Sequence, residues 1–202
     1  MHHKDLTGVH VEGHIHIHDP IEKITYVNKR NAIHYENMSI ALAQSLANNG
    51  QGYVYKMVFG NGGTAIDPTG IITYFTPNSS GTNASLYSLT YDKVVDDRSE
   101  NNVDPTRNFI ETRHVTGTNY TDIFVTCLLD YGEPYGQNAY DATNNAESAF
   151  VFDELGLQSF SSTGSELLLT HVIFHPVQKS LNRLIQIDYT VRIQTLTGLV
   201  GV

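Results

Sequence analysis

Along the 202-residue chain, apolar positions recur mostly at a spacing of two, the period of a strand with one face buried. From Tyr120 onward, Ile123, Val125, Cys127 and Leu129 share one face, and Cys127 reads as a small core residue there. Nearer the C-terminus, Ile185, Ile187, Tyr189, Val191 and Ile193 alternate with Gln186, Asp188, Thr190 and Arg192, which predicts a strand with one buried and one wet or partner-facing side. Further strands are predicted over residues 52–59, 70–75, 86–95, 108–115, 149–152 and 167–175, the last of them ended by Pro176. One helix interrupts the pattern over residues 33–48. There Tyr35, Met38, Leu42 and Leu46 recur at spacings of three and four beside Ala41, Ala43 and Ala47, and Gly50 stands ready as a C-terminal cap. Segments rich in Asn, Gly, Ser and Thr at 60–63, 77–83, 98–106 and 130–145 predict loops. No repeat and no sharp shift in composition divides the chain. The expectation is a mainly β (α+β) protein, a β-sandwich or barrel with one packed amphipathic helix: an extended N-terminal arm over residues 1–20, then a single β-rich domain over residues 21–202.

Charge narrows the functional field. Lys and Arg number 12 against 21 Asp and Glu, a formal charge of −9, whereas a protein that grips phosphate backbones needs a basic face. No specific nucleic-acid partner is therefore expected, and no membrane partner either, because no apolar run reaches the roughly 18 residues of a spanning helix. The polar N-terminus lacks a secretory leader, so folding in a cytoplasm is the expectation. A single cysteine excludes an internal disulfide and every metal site built on two thiolates.

Histidine is the unusual component, with ten in the chain and six of them before residue 19. Residues 9–19 read VHVEGHIHIHD. If this segment is extended, His10, Glu12, His14, His16 and His18 point to one side, and Val9, Val11, Ile15 and Ile17 to the other. Imidazoles two apart on a strand lie about 7 Å apart at the backbone and can converge on one ion, which makes His14, His16 and His18 candidate metal ligands. Otherwise the same face pairs across a subunit interface, stacks, or sits in solvent. Three enzyme patterns share this local spacing. An amidohydrolase-type barrel needs about 250 residues and regular β-α alternation; a cupin needs a glutamate where Pro20 and Ile21 stand; a zinc deaminase needs two cysteines. No HExxH occurs.

Other motifs carry less. The run from Gly60 to Thr64 lacks the Lys-Ser/Thr of a phosphate loop and predicts a tight turn between strands. Adjacent acids at Asp153-Glu154 and Asp96-Asp97 point to opposite faces of a strand and are expected in solvated loops. His171 and His175 are four apart on a strand, about 13 Å, too far to share an ion.

Two segments carry a resemblance. Residues 32–38 with 58–64 (AIHYENM and VFGNGGT), following the histidine strand, resemble virion structural proteins of tailed bacteriophages. The ending is similar to that of several phage neck, collar and tail proteins: Phe152-Asp153-Glu154-Leu155-Gly156-Leu157, then residues 168–174, then residues 184–193. The resemblance implies a non-enzymatic component that forms an oligomeric ring at the neck or collar of the head-tail junction. It further implies portal, connector or tail proteins as partners, and a virion location after assembly in the host cytoplasm. In this reading the arm, with His10 and Glu12 on an exposed edge strand, reaches neighbouring subunits, as does a loop bearing Tyr131, Tyr135 and Tyr140. No cofactor is expected beyond a possible structural metal ion. The alternatives are a capsid decoration or tail/fibre-attachment protein, and a small metal-dependent enzyme, cupin-like or a hydrolase, using His14, His16 and His18.

Overall fold

The computed structural model describes residues 8–81, 84–134 and 149–196. In chain order these form β1 (Gly8–His18), β2 (Thr25–Ile33), α1 (Tyr35–Leu46), β3 (Val54–Gly60), β4 (Thr64–Ile66), β5 (Ile72–Tyr74), β6 (Leu89–Val94), β7 (Phe109–His114), β8 (Tyr120–Leu129), β9 (Ala149–Ser159), β10 (Thr170–Ser180) and β11 (Ile185–Leu196). Nine strands make one antiparallel sheet in the order β6-β3-β9-β10-β2-β1-β11-β8-β7, while β4 and β5 form a separate hairpin. The fold is thus mainly β with one helix, as the periodicity predicts.

The sheet has a narrow waist. Strands β10 and β2 share only two residue pairs, Thr170 with Ile33 and His171 with Ala32, whereas β1 and β11 pair along their whole length. About this waist the sheet curls until the inner faces of its two halves meet in one core. Ile15 and Ile17 of β1, Cys127 of β8 and Ile187 of β11 belong to the same buried cluster as Met57, Phe59, Phe152 and Leu157 from the other half. Each fully buried Ile contributes roughly 2 kcal/mol by removing its side chain from water. Phe59 meets Phe152 edge-on at 5.4 Å, and Phe152 meets Phe174 in the same way at 5.7 Å.

Several expectations need correction. The histidine segment is no free arm: β1 pairs with β11 along its whole length and with β2 over Gly13–His18, so among the described residues only its first half, Gly8–Glu12, keeps one side without a partner strand. Strand β2 went unpredicted because its middle, Asn28-Lys29-Arg30, is exposed and only Val27 and Ile33 are buried. Only the middle of the predicted helix stripe packs. Met38 is buried and Leu42 packs half-buried against the core, with Asn37 and Ala41 buried beside them, while Tyr35 and Leu46 at the two ends are among the most exposed apolar residues. His34 supplies the N-cap, its Nδ1 accepting from the Asn37 amide at 3.2 Å. Past the helix, Asn48 takes the left-handed conformation (φ 53°) two residues before the expected Gly50. Pro176 does not end its strand, because β10 bulges between Ile173 and Val177 and the proline falls within the bulge, where no ladder amide is required.

Gly13 shows why one position of the histidine strand must lack a side chain. It faces Asn31 of β2, and a Cβ there would sit 1.8 Å from Asn31 Oδ1. The space lets Asn31 Nδ2 donate to the hydroxyl of the fully buried Tyr189 and to the carbonyl of Ala32 at 3.2 Å. Gly13→Ala should displace Asn31, leave the Tyr189 hydroxyl poorly satisfied and lower unfolding free energy by about 2 kcal/mol. Chemical denaturation of Gly13→Ala, Asn31→Ala and the double variant checks this, with the two losses expected to be strongly non-additive.

Candidate functional site

The polar face of β1 lies against the polar face of β11, and the register decides which groups meet. His16 is opposite Asp188, His18 opposite Gln186, and His14 opposite Thr190. His18 Nε2 is 2.8 Å from Asp188 Oδ2, and the His16 and His18 rings stack with centroids 4.5 Å apart, 13° from parallel. His16 Nε2 also lies 3.1 Å from Thr25 Oγ1. Burial, with the neighbouring His18 and His14 rings, pulls His16 below the usual imidazole range against the opposing pull of Asp188, so its neutral form is favoured. One potential ligand atom from each of His16, His18 and Asp188 falls within 4.8 Å of the others.

This is not the expected triad. His14 keeps to the predicted face but stands in a separate cleft with Glu12, Arg30 and Arg192, and Asp188 takes its place in the cluster. His10 and Glu12 are farther along β1, 4.0 Å apart and largely exposed. Tyr131 is exposed beside a loop base held by Lys179, whose Nζ donates to the carbonyls of Asp130, Glu133 and Ser180 at 2.9, 2.8 and 2.9 Å. Burial brings the Lys179 ammonium down to about 8, against the pull of the Glu133 and Asp130 carboxylates. Tyr135 and Tyr140 lie outside the described residues. Cys127 is fully buried, as expected, and burial pushes its thiol up to about 12. A cavity of about 260 Å³ beneath α1 is lined chiefly by apolar side chains, among them Met38, Leu42, Leu157 and Val191, away from the histidines.

A second polar cluster was not foreseen. Asp153 and Glu154 are buried rather than solvated, and so is Asp96. The chain leaving β3 continues alongside β9, which brings both carboxylates within reach of the glycine-rich turn. Asp153 accepts from the Gly63 and Thr64 amides at 2.9 Å each and from the Thr64 hydroxyl. Glu154 accepts from the amides of Gly62 at 3.1 Å, Ser88 at 2.8 Å and Tyr87 at 2.9 Å. His171 completes the set. The Asn78 amide donates to its Nδ1 at 2.8 Å, so the ring proton sits on Nε2 and is donated to Glu154 Oε2 at 2.9 Å. Burial alone would raise the Glu154 carboxyl, but the hydrogen bonds from His171 and the three amides outweigh it and hold the group below its ordinary value. For Asp153 burial prevails and the shift is upward. The turn's amides are thus occupied by the protein's own carboxylates, in the places where a phosphate loop would offer them to a ligand.

This cluster anchors the β4–β5 hairpin, which carries a set of exposed apolar side chains. Ile66 and Ile71 are each 64% exposed, and Tyr74, Phe75, Tyr87 and Leu89 are also exposed beside them. Phe75 packs on Tyr87 at 5.5 Å, Tyr87 lies over the buried His171 at 5.7 Å, and Tyr74 reaches His175 Nδ1 at 3.2 Å. In comparisons with protein-family models, curated proteins and solved structures, nothing matches the chain.

Glu154→Gln removes a buried anion from four donors and should cost about 3 kcal/mol at neutral pH. Because the folded carboxyl titrates below its ordinary value, its contribution is complete above the carboxylate range and fades as pH falls through that range. The gap in denaturation midpoint between the two proteins should therefore be widest near pH 7 and narrow toward pH 3. A gap that stays constant with pH would contradict this account.

Proposed function

We propose that the chain is a non-enzymatic structural component of an oligomeric assembly, and that the assembly is a ring at the neck or collar of a tailed-phage particle. The observation that carries the assembly reading is the β4–β5 hairpin, which presents Ile66, Ile71, Tyr74 and Phe75 to solvent from a rigid, hydrogen-bonded base. Exposed apolar side chains of this size mark interaction surfaces, and aromatic residues concentrate the energy of such contacts. A second copy of the chain is the natural occupant. The same chain exposes apolar residues elsewhere, Tyr35 and Leu46 at the two ends of α1, and unlike exposed surfaces on one subunit are what a head-to-tail contact that closes into a ring requires. The phage setting is supported by the resemblance of residues 32–38, 58–64 and the C-terminal strands, and by an acidic charge of −9 that suits a component with no need to grip DNA. Portal, connector or tail proteins are the neighbours this reading entails; a capsid decoration or fibre-attachment role would differ only in where the ring docks.

Light scattering coupled to size-exclusion chromatography tests the proposal. The wild-type chain should elute as a closed oligomer at tens of micromolar, and Ile66→Asp with Ile71→Asp should shift it to monomer with little change in melting temperature, because both side chains are already exposed. A wild-type monomer at that concentration would sink the ring, and a doubly substituted chain that still assembles would remove the hairpin from its contact.

A further inference from the structure

We propose that His16, His18 and Asp188 form a binding site for a divalent transition-metal ion of the zinc type, shared between β1 and β11. The inference stands apart from the ring, and its failure would leave that reading untouched. Two imidazoles and a carboxylate are a donor set that zinc, cobalt and iron accept, whereas calcium and magnesium require oxygen ligands.

The geometry needs little adjustment. Donor atoms around a tetrahedral zinc ion lie about 3.3 Å apart, given bonds of about 2.0–2.1 Å. Here all three lie within 4.8 Å of one another, so small side-chain rotations on a rigid pair of strands would close the site. His18 Nε2 and Asp188 Oδ2 lie 2.8 Å apart and would open to about 3.3 Å as an ion displaces the proton they share.

The carboxylate is also held from behind. Gln186 Nε2 donates to Asp188 Oδ1 at 2.9 Å, and Thr126 Oγ1 on β8 lies 3.4 Å from the same oxygen, which leaves Oδ2, turned to His18, as the ligand atom. Such outer hydrogen bonds fix the orientation of metal ligands, and their loss ordinarily weakens binding by about 10–100-fold. All three groups are only partly buried, so a water molecule can complete the coordination. Position selects between neighbouring histidines. Asp188 brings a negative charge within ligand distance of His16 and His18, whereas His14 stands apart from this group in a cleft with Glu12, Arg30 and Arg192.

The test uses the full chain carrying His2→Ala and His3→Ala, so that those two imidazoles do not compete, with Zn²⁺ titrated calorimetrically and Co²⁺ as a spectroscopic probe of geometry. One ion should bind per chain, with the visible absorption of tetrahedral or five-coordinate cobalt. His16→Ala, His18→Ala and the isosteric Asp188→Asn should each weaken binding at least about 10-fold. His14→Ala should leave it unchanged, and circular dichroism should show every variant folded. Absence of stoichiometric Zn²⁺ binding would overturn the proposal. So would an Asp188→Asn chain that binds like its parent, which would mean a bare histidine pair, or a His14→Ala chain that loses as much as His16→Ala.

Discussion

The fold depends on satisfying buried polar groups at the waist where the sheet closes. Only two residue pairs join β10 to β2, so the backbone just before and within this joint has to find partners that a regular ladder would have supplied. They come from several directions. The His34 amide donates to Leu169 O at 2.9 Å, Asn37 Nδ2 to Leu168 O at 2.9 Å, and the Leu157 amide to Thr170 Oγ1 at 3.0 Å. The helix is placed by these contacts as much as by its apolar side. Its first turn is bound to the joint, which is why buried Asn37 outranks exposed Tyr35 in fixing which face turns inward.

Glu154 extends the same constraint outward. Through His171 it is tied to the joint, and through the Gly62, Tyr87 and Ser88 amides it is tied to the base of the β4–β5 hairpin. A buried carboxylate accepting from four donors has one acceptable arrangement, since a lost donor would leave a charge in low dielectric without compensation. The glycines follow from it. A Cβ at Gly60 would stand 2.4 Å from Glu154 Oε1, and one at Gly62 would stand 2.8 Å from the Ser88 amide. The hairpin's apolar residues are consequently displayed from a base with little freedom, so a partner docking there would order few degrees of freedom in this segment.

Strands β8 and β11 were legible in the sequence because alternation governs most of their length: Val125, Cys127 and Leu129, and Ile185 to Val191 at every second position, are buried, while Ile123 and Ile193 are half-buried and Asp122 and Leu128 are buried out of phase. The parity of β1 was legible for the same reason. What alternation could not carry was pairing. Nothing in the segment from His10 to His18 indicates that β2 and β11 flank it, and without the register Asp188 was one polar residue among four on its strand. Asp153 and Glu154 misled for a related reason. Adjacent acids in a strand ordinarily mean solvent, and only the run of a distant glycine turn alongside β9 gives them donors. Lys179 offered no signal at all, since the carbonyls that hold it come from residues 130, 133 and 180.

The interior position of β1 changes what the histidine face is for. Over Gly13–His18 both ladders are filled by the same chain, so this stretch offers only its side chains, whereas Gly8–Glu12 keeps one side without a partner strand among the described residues. Those side chains divide by neighbours. His14 lies in a cleft with Glu12, Arg30 and Arg192, while His16 and His18 face the Asp188 carboxylate, whose other oxygen is already engaged. Large apolar side chains are exposed on the separate β4–β5 hairpin and just beyond it, at Ile66, Ile71, Tyr74 and Phe75. The proposed metal site on β1 and β11 and the proposed contact on the β4–β5 hairpin share no residue, so either would operate without the other.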